Sequence, residues 1–293
     1  MTIRELTAKS FALRRDVLDM IYHSKGGHFG GDFSVMDILV TLYNLHMNIS
    51  PKSADAKNRD RLILSKGHTV ATLYAVLCDK GFFSKAELET FSQFGSKYIG
   101  HPNNKVNGIE MNSGSLGHGL SVGVGMAIAG KMDELEYRVY VVMGDGELAE
   151  GSVWEGAMAA GHYKLDNIIA FVDRNRLQIS GSTEDVMAQD CQKERWAAFG
   201  WSVLEINGND IAELDTAIKN AKACKDKPTM IIANTIKGFG YSEAQGKADW
   251  HHKVPNAEQY EEAMAELKQR QLDALEGEDH CPISAQSKGG KAI

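Results

Sequence analysis

Two residues with the chemistry of hard-cation ligands stand at the ends of consecutive apolar runs. Val139–Met143 leads into Gly144-Asp145-Gly146, and Ile168–Val172 leads into Asp173-Arg174-Asn175, with a helical pattern between them. In a parallel α/β sheet both runs deliver their terminal polar residues to one edge, at the carboxyl ends of the strands, where ligands bind. The Asp145 carboxylate and the Asn175 carboxamide oxygen make a sparse ligand set. Such a set suits Mg²⁺ when a phosphate group supplies further oxygens. Taken singly, Asp145 reads as a helix cap and Asn175 as a turn former. The order strand, GDG, helix, strand, Asn is more specific, and it predicts a cradle for a metal–diphosphate.

Histidines supply the second group. Five of the ten follow glycine directly: His28, His68, His101, His118 and His162. Neutral imidazole both gives and accepts protons, as chemistry on hydroxyls and carbonyls requires. Glycine lets a backbone approach a ligand closely. His68 follows RLILSKG at an expected strand end, and His101 lies in the turn-like YIGHPN. His162 sits at a helix end, where capping or packing accounts for it. The pair His251-His252, after Trp250, reads as phosphate or substrate contact rather than as a metal chelate. His23, His46 and His280 carry no such context.

Two further segments carry polar or glycine-rich patterns. Asn112–Gly130 contains GxGxxxG, but neither a preceding strand nor a following acidic residue completes a dinucleotide site. Its glycines predict close helix packing and backbone groups presented to a ligand. Glu150 and Glu155, five residues apart at the start of the helix after GDG, satisfy the helix dipole and need a partner for any larger role.

The elements that must position these residues follow from periodicity. Helical patterns cover 2–24, 33–46, 69–80, 84–93, 118–132, 152–163, 190–199, 210–223 and 256–275. They alternate with apolar runs at 61–65, 139–143, 168–172, 202–206 and 229–234. That alternation predicts βαβ crossovers and an α/β fold, a parallel sheet flanked by helices. One domain over 1–275 followed by a loose tail at 276–293 fits the loss of pattern near the end. A net charge of −7 without a basic stripe argues against a nucleic-acid partner. The four cysteines form no CxxC pair, which favours reduced thiols. No apolar run is long enough for a membrane span or a signal peptide, so a soluble cytoplasmic protein is expected.

With the cradle and the histidine loops in place, the chain resembles the transketolase family over about residues 5–260, in its thiamine diphosphate-binding half. The resemblance rests on GGHFGG near His28, SKGH at 65–68, GHP at 100–102 and SGSLGHGL at 113–120. It extends through the GDG-to-Asn segment, KGFG at 237–240 and WHHKVPN at 250–256. It is similar above all to the first subunit of transketolases split over two chains. Members transfer a two-carbon ketol unit from a ketose phosphate donor to an aldose acceptor, with thiamine diphosphate and Mg²⁺ (or Ca²⁺ or Mn²⁺) as cofactors.

The resemblance implies roles residue by residue. Asp145, Asn175 and the Leu177 carbonyl would ligate the metal, within the cofactor motif that includes Gly146. His68 and His251 would contact the diphosphate, and Gly114 and Leu116 the aminopyrimidine. His28, His101 and His251 would touch the donor's C1 hydroxyl and carbonyl. Glu150 and Glu155 would join a carboxylate network reaching toward a partner. The HGxxP pattern of relatives aligns with His251 and puts His252 at the glycine. Phe29, Ser115 and His118 depart from the usual proline, proline and glutamine, which bears on donor preference.

The family's activating glutamate lies in a pyrimidine-binding half that this sequence does not contain. A C-terminal transketolase subunit is therefore the expected partner, in a heterotetramer of two chains of each kind. Alternatives are a ketol-transferase for an unusual sugar phosphate or sulfonated sugar, and a subunit like those of 2-oxo acid dehydrogenases or deoxyxylulose phosphate synthase. The SKGH, GHP and glycine–histidine loops favour transketolase.

Overall fold

The five apolar runs assemble side by side into one parallel sheet. In the computed structural model, which describes residues 1–189 and 191–278, the strands in chain order are β1 (Arg61–Leu64), β2 (Val139–Gly144), β3 (Ile168–Arg174), β4 (Leu177–Gln178), β5 (Gly181–Ser182), β6 (Ser202–Asn207) and β7 (Thr229–Asn234). The order across the main sheet is β1-β2-β3-β7-β6, all parallel, while β4 and β5 pair as a separate antiparallel hairpin. Register brings Gly144 beside Asp173 and Arg174 beside Asn234, so the strand ends that carry the polar residues lie level.

Alternation along each strand divides the core in two. Val139, Val141 and Met143 join one cluster with Ala170, Val172 and Ile232. Tyr140 and Val142 join the other with Ile169, Phe171 and Ile231. Both faces are covered, which explains why the central strands read as unbroken apolar runs.

The helices in chain order are α1 (Ile3–Ser24), α2 (Phe29–Thr41), α3 (Val70–Asp79), α4 (Lys85–Leu88), α5 (His118–Met132), α6 (Gly151–His162), α7 (Thr183–Val186), α8 (Gln192–Ala198), α9 (Ile211–Ala223) and α10 (Ala257–Glu276). Residues of α1, α2, α3, α9 and α10 line the face of Tyr140 and Val142, and those of α5, α6 and α8 the face of Val139 and Val141. Helix α2 is buried along its whole length, including Asp32, Ser34 and Asp37. The polar groups it carries must therefore find internal partners. Asp37 meets Arg14 at 2.7 Å and accepts from Asn209 Nδ2 at 2.9 Å.

The glycines of α5 act as expected. A Cβ on Gly123 would lie 2.7 Å from Val141 Cγ2, and one on Gly119 2.5 Å from Ser65 Cβ, so only glycine lets this helix lie on the sheet.

Two local expectations shift, and one element goes unforeseen. Helix α2 begins at Phe29, not 33, because the Asp32 amide already donates to the His28 carbonyl at 2.9 Å. The pattern at 84–93 shortens to Lys85–Leu88, followed by turns that include Ser92 at φ 55°. The hairpin of β4 and β5 has no periodic signal, being two residues per strand. His280, Cys281 and the tail from 279 on lie outside the described residues. Among the described residues no helix is long and apolar enough to cross a membrane.

Candidate active site

The carboxyl ends of four strands supply the floor of the site. After β1 come Ser65-Lys66-Gly67-His68, and after β2 comes Asp145. The last turn of β3 carries Asp173 and leads to Asn175, and β7 leads to Thr235 and Lys237. Asp145 is 2 % exposed; its Oδ1 accepts from the Gly146 amide at 2.9 Å and its Oδ2 from the Arg176 amide at 2.6 Å. Burial, and the Asp173 carboxylate nearby, push the Asp145 carboxyl up to about 6. Such a carboxylate, buried and held by two backbone amides, could take a cation as a further partner.

Asn175 Oδ1 accepts from the Leu177 amide at 3.1 Å, and its Nδ2 donates to Ser34 Oγ at 3.3 Å. Between Asn175 and Leu177, Arg176 adopts φ 65°, an uncommon conformation for a side-chain-bearing residue. That kink turns the Arg176 and Leu177 amides toward Asp145 and Asn175. The three oxygens named from the resemblance, of Asp145, Asn175 and Leu177, therefore belong to one loop system. The Leu177 carbonyl accepts here from Lys237 Nζ at 3.1 Å.

Beneath this loop lies a buried polar network. Asp173, fully enclosed, accepts on Oδ2 from Lys66 Nζ at 2.5 Å and from Ser34 Oγ at 2.6 Å, and on Oδ1 from Thr235. Glu147, 2 % exposed, accepts from Ser65, from the Gly117 amide at 2.8 Å and from the Gly144 amide at 3.1 Å. It thereby ties the 113–117 loop to the GDG turn. Gly146 lies half-buried in that turn. Gly114, at φ 144°, packs so closely on His101 that a Cβ would lie 2.9 Å from its Cδ2. Leu116, half-buried, follows in the same loop, its carbonyl taken by His118.

Above the floor the imidazoles converge on His28. Its ring centroid lies 5.0 Å from His68, 6.2 Å from His101, 5.6 Å from His251 and 4.2 Å from His252. Tyr74 on α3 holds the His101 loop through the carbonyls of Ile99 (3.0 Å) and His101 (3.3 Å). Burial is the main cause that lowers His28 and His251 to about 3, with neighbouring imidazoles and lysines adding to it. His68 falls well below its usual range and His101 is lowered, both chiefly by burial. These rings are neutral at physiological pH, each with one N–H and one lone pair.

Nitrogens of His28, His251 and His252 lie within 4.8 Å of one another, a spacing that invites a soft metal. The tautomer argues otherwise. Lys237 Nζ stands 2.9 Å from His251 Nδ1, and an ammonium can only donate. His251 must therefore accept on Nδ1 and carry its proton on Nε2, a donor rather than a ligand. Lys237 itself is lowered to about 8 by burial first and by Lys66 second.

The structure thus brings together Asp145, Gly146, Asn175, Leu177, His28, His68, His101, His251 and the Gly114–Leu116 loop. Of the remaining glycine–histidine pairs, His118 is exposed at the start of α5, and His162 is exposed at the end of α6 against Tyr163. Glu150 and Glu155 are both exposed on the α6 side, and their side chains make no hydrogen bond or ion pair among the described residues. Sequence reasoning gave no role to Ser34, Lys66, Glu147, Asp173, Thr235 or Lys237. A signal was available for most of them: each of the last four, and Lys66, stands within a few residues of a strand end.

Comparison with known proteins places these features in a family. A family model described as transketolase, thiamine diphosphate binding domain, matches residues 7–271. The chain is 48 % identical over 280 residues to one of the subunits of apulose-4-phosphate transketolase from Phocaeicola vulgatus, covering 96 % of this chain and 99 % of that one. It is 40 % identical over 265 residues to a 6-deoxy-6-sulfo-D-fructose transketolase subunit of a Clostridium species, covering 90 % and 96 %. Human transketolase is 40 % identical over 244 residues, 82 % of this chain but 38 % of that protein. Among solved structures, transketolase from Campylobacter jejuni superposes with a TM-score of 0.85 at 32 % identity, over 95 % of this chain and 47 % of that one. The chain spans nearly all of the two subunits and less than half of the two larger transketolases.

Proposed function

The chain belongs to the thiamine diphosphate-binding transketolase family, and on that premise we propose that it is the cofactor-anchoring subunit of a two-chain transketolase. Its reaction is the transfer of a two-carbon ketol unit from a ketose phosphate to an aldose, in the cytoplasm. Residues 1–275 serve as one cofactor-binding domain. The observation that carries the reading is the convergence of three oxygen donors, two buried ammoniums and four neutral imidazoles at one sheet edge.

The donor set fits the proposed cofactor pair. Carboxylate, carboxamide and carbonyl oxygens suit Mg²⁺, Ca²⁺ or Mn²⁺, with diphosphate oxygens completing the shell. Asp145, Asn175 and the Leu177 carbonyl would hold the ion, and Lys237, whose ammonium meets that carbonyl in the chain alone, would face the diphosphate. His68 and His251 would donate to the same anion, and the backbone of Gly114 and Leu116 would meet the aminopyrimidine. Thiamine diphosphate, when bound, supplies the carbanion chemistry that breaks and makes the carbon–carbon bond.

His28, His101 and His251 act on the sugar. As neutral rings, His28 and His101 would donate to the donor's carbonyl oxygen and C1 hydroxyl and pass protons there, while His251, with its one N–H on Nε2, would serve either the diphosphate or the sugar. Lys237, by fixing the proton on His251 Nε2, keeps that ring a donor. Glu150 and Glu155, exposed and without side-chain hydrogen-bond or ion-pair partners among the described residues, mark the side that meets a pyrimidine-binding subunit, in an assembly of two chains of each kind.

The test is reconstitution. The purified chain, with thiamine diphosphate and Mg²⁺, is assayed for ketol transfer alone and with a co-expressed pyrimidine-binding chain. Activity is expected only with both chains, and Asp145→Ala is expected to abolish it. Turnover by this chain alone would overturn the two-chain reading.

A further inference from the structure

The carboxamide of Asn175 can serve a cation only if its oxygen, not its nitrogen, faces the ion. The two ends are nearly the same size, so shape does not choose between them. Hydrogen-bond polarity does. On one side the Leu177 amide, a donor, faces Oδ1 at 3.1 Å. On the other side, Ser34 Oγ lies 3.3 Å from Nδ2 and 2.6 Å from Asp173 Oδ2. A hydroxyl has one proton. The other oxygens beside Ser34 Oγ, Asp173 Oδ2, which Lys66 holds as an acceptor, and the Gly31 carbonyl at 3.0 Å, can only accept, so the Ser34 proton goes to them and not to Asn175. Ser34 then has only a lone pair left for Asn175, and Asn175 must answer with its NH₂. Reversing the carboxamide would set donor against donor at Leu177 and leave Oδ1 facing a hydroxyl whose proton is already committed.

We propose that Ser34 is a positioning residue for the divalent cation: the relay Lys66–Asp173–Ser34 fixes which way the Asn175 carboxamide faces. The residue lies on α2, in a different layer from the GDG loop, and touches neither ion nor cofactor. Asn175 is nine-tenths buried and Ser34 fully so, and water does not substitute for the lost bond without space to enter. The inference rests on the proposed cation site.

Mn²⁺ binding, followed by the electron paramagnetic resonance of the free ion, tests it in the two-chain complex with thiamine diphosphate. Ser34→Ala is expected to raise the Mn²⁺ Kd about tenfold, the usual scale for partners of metal ligands. In an Asn175→Ala background the same change is expected to add less than about twofold, because the group it orients is gone. Thr235→Val removes a bond from the other oxygen of Asp173 and is expected to leave the Kd within about twofold. Ser34→Cys, nearly isosteric and a poor acceptor, serves should the alanine variant not fold. Equal losses in both backgrounds, or no loss from Ser34→Ala, would overturn the role of Ser34. Unchanged Mn²⁺ binding in Asp145→Ala and Asn175→Ala would instead overturn the cation site itself.

Discussion

Asp32 offers a test of the site's electrostatics that needs neither cofactor nor partner. Its side chain is fully enclosed on α2; Oδ1 accepts from the Thr72 amide at 3.0 Å and the Thr72 hydroxyl at 3.1 Å, and Oδ2 has no partner among the described residues. The nearest cation, Lys66, is already engaged by Asp173 and the Gly31 carbonyl. Burial therefore dominates and raises the carboxyl from 3.8 to about 7, against the opposing pull of the Thr72 bonds. Unfolding returns the group to its ordinary value. Between those limits the folded chain holds a proton that the unfolded chain has released, so stability falls as pH rises through the window. At about 1.4 kcal/mol per pH unit, the penalty is about 4 kcal/mol once the pH exceeds 7, of which about 3 kcal/mol accrues above pH 5.

Asp32→Asn keeps a carbonyl oxygen for Thr72 and cannot ionise. Urea unfolding followed by tryptophan fluorescence, from pH 5 to pH 8, is expected to show the variant gaining about 3 kcal/mol on the parent across that range. Parallel stability curves for the two proteins would refute the argument that burial holds this carboxyl neutral.

Two other substitutions probe how the site is framed. Glu147→Gln turns one acceptor oxygen into a donor facing the Gly117 or Gly144 amide or Ser65, and is expected to cost about 2 kcal/mol in urea unfolding while weakening thiamine diphosphate binding in the complex. An unchanged denaturation midpoint would show that the 113–117 loop is held by other means. Gly161→Ala would place a Cβ 1.9 Å from the Phe199 carbonyl oxygen, where α6 meets the turn after α8. Overpacking against backbone is expected to cost about 3 kcal/mol and to lower the melting temperature by roughly 6–12 °C; an unaltered melting curve would contradict that geometry.

Legibility tracked the distance over which a signal acts. Asp145 and Asn175 stood out because each closely follows an apolar run, and a parallel sheet needs no further information to bring such ends together. The Gly-His pairs carried one local signature with two outcomes. His28, His68 and His101 converge, while His118 and His162 face outward, and only the topology decides which. For the adjacent pair, alignment favoured His251; the structure gives it the Lys237 contact but places the exposed His252 ring nearest His28. Glu147 carries no signal of its own, since an acid at a helix start has an ordinary explanation in the helix dipole. Asp173 and Thr235 showed only that they stand at strand ends, and Ser34 showed nothing, since their meaning lies in bonds to residues far along the chain.

Those bonds also set when the site can exist. Asp173 is linked to Thr235, Lys66 and Ser34 across 62, 107 and 139 residues. A ribosome-bound chain that has emerged as far as Asn175 already owns the carboxylate and the carboxamide, yet it lacks the last strand, Thr235 and Lys237. Closing loops of that length comes late, after local helices have formed. A cation at the proposed site would then not act as a seed around which the chain organises, as one does in small metal-nucleated domains. It would be captured by a finished fold, and metal uptake would report the completion of biosynthesis rather than a step within it.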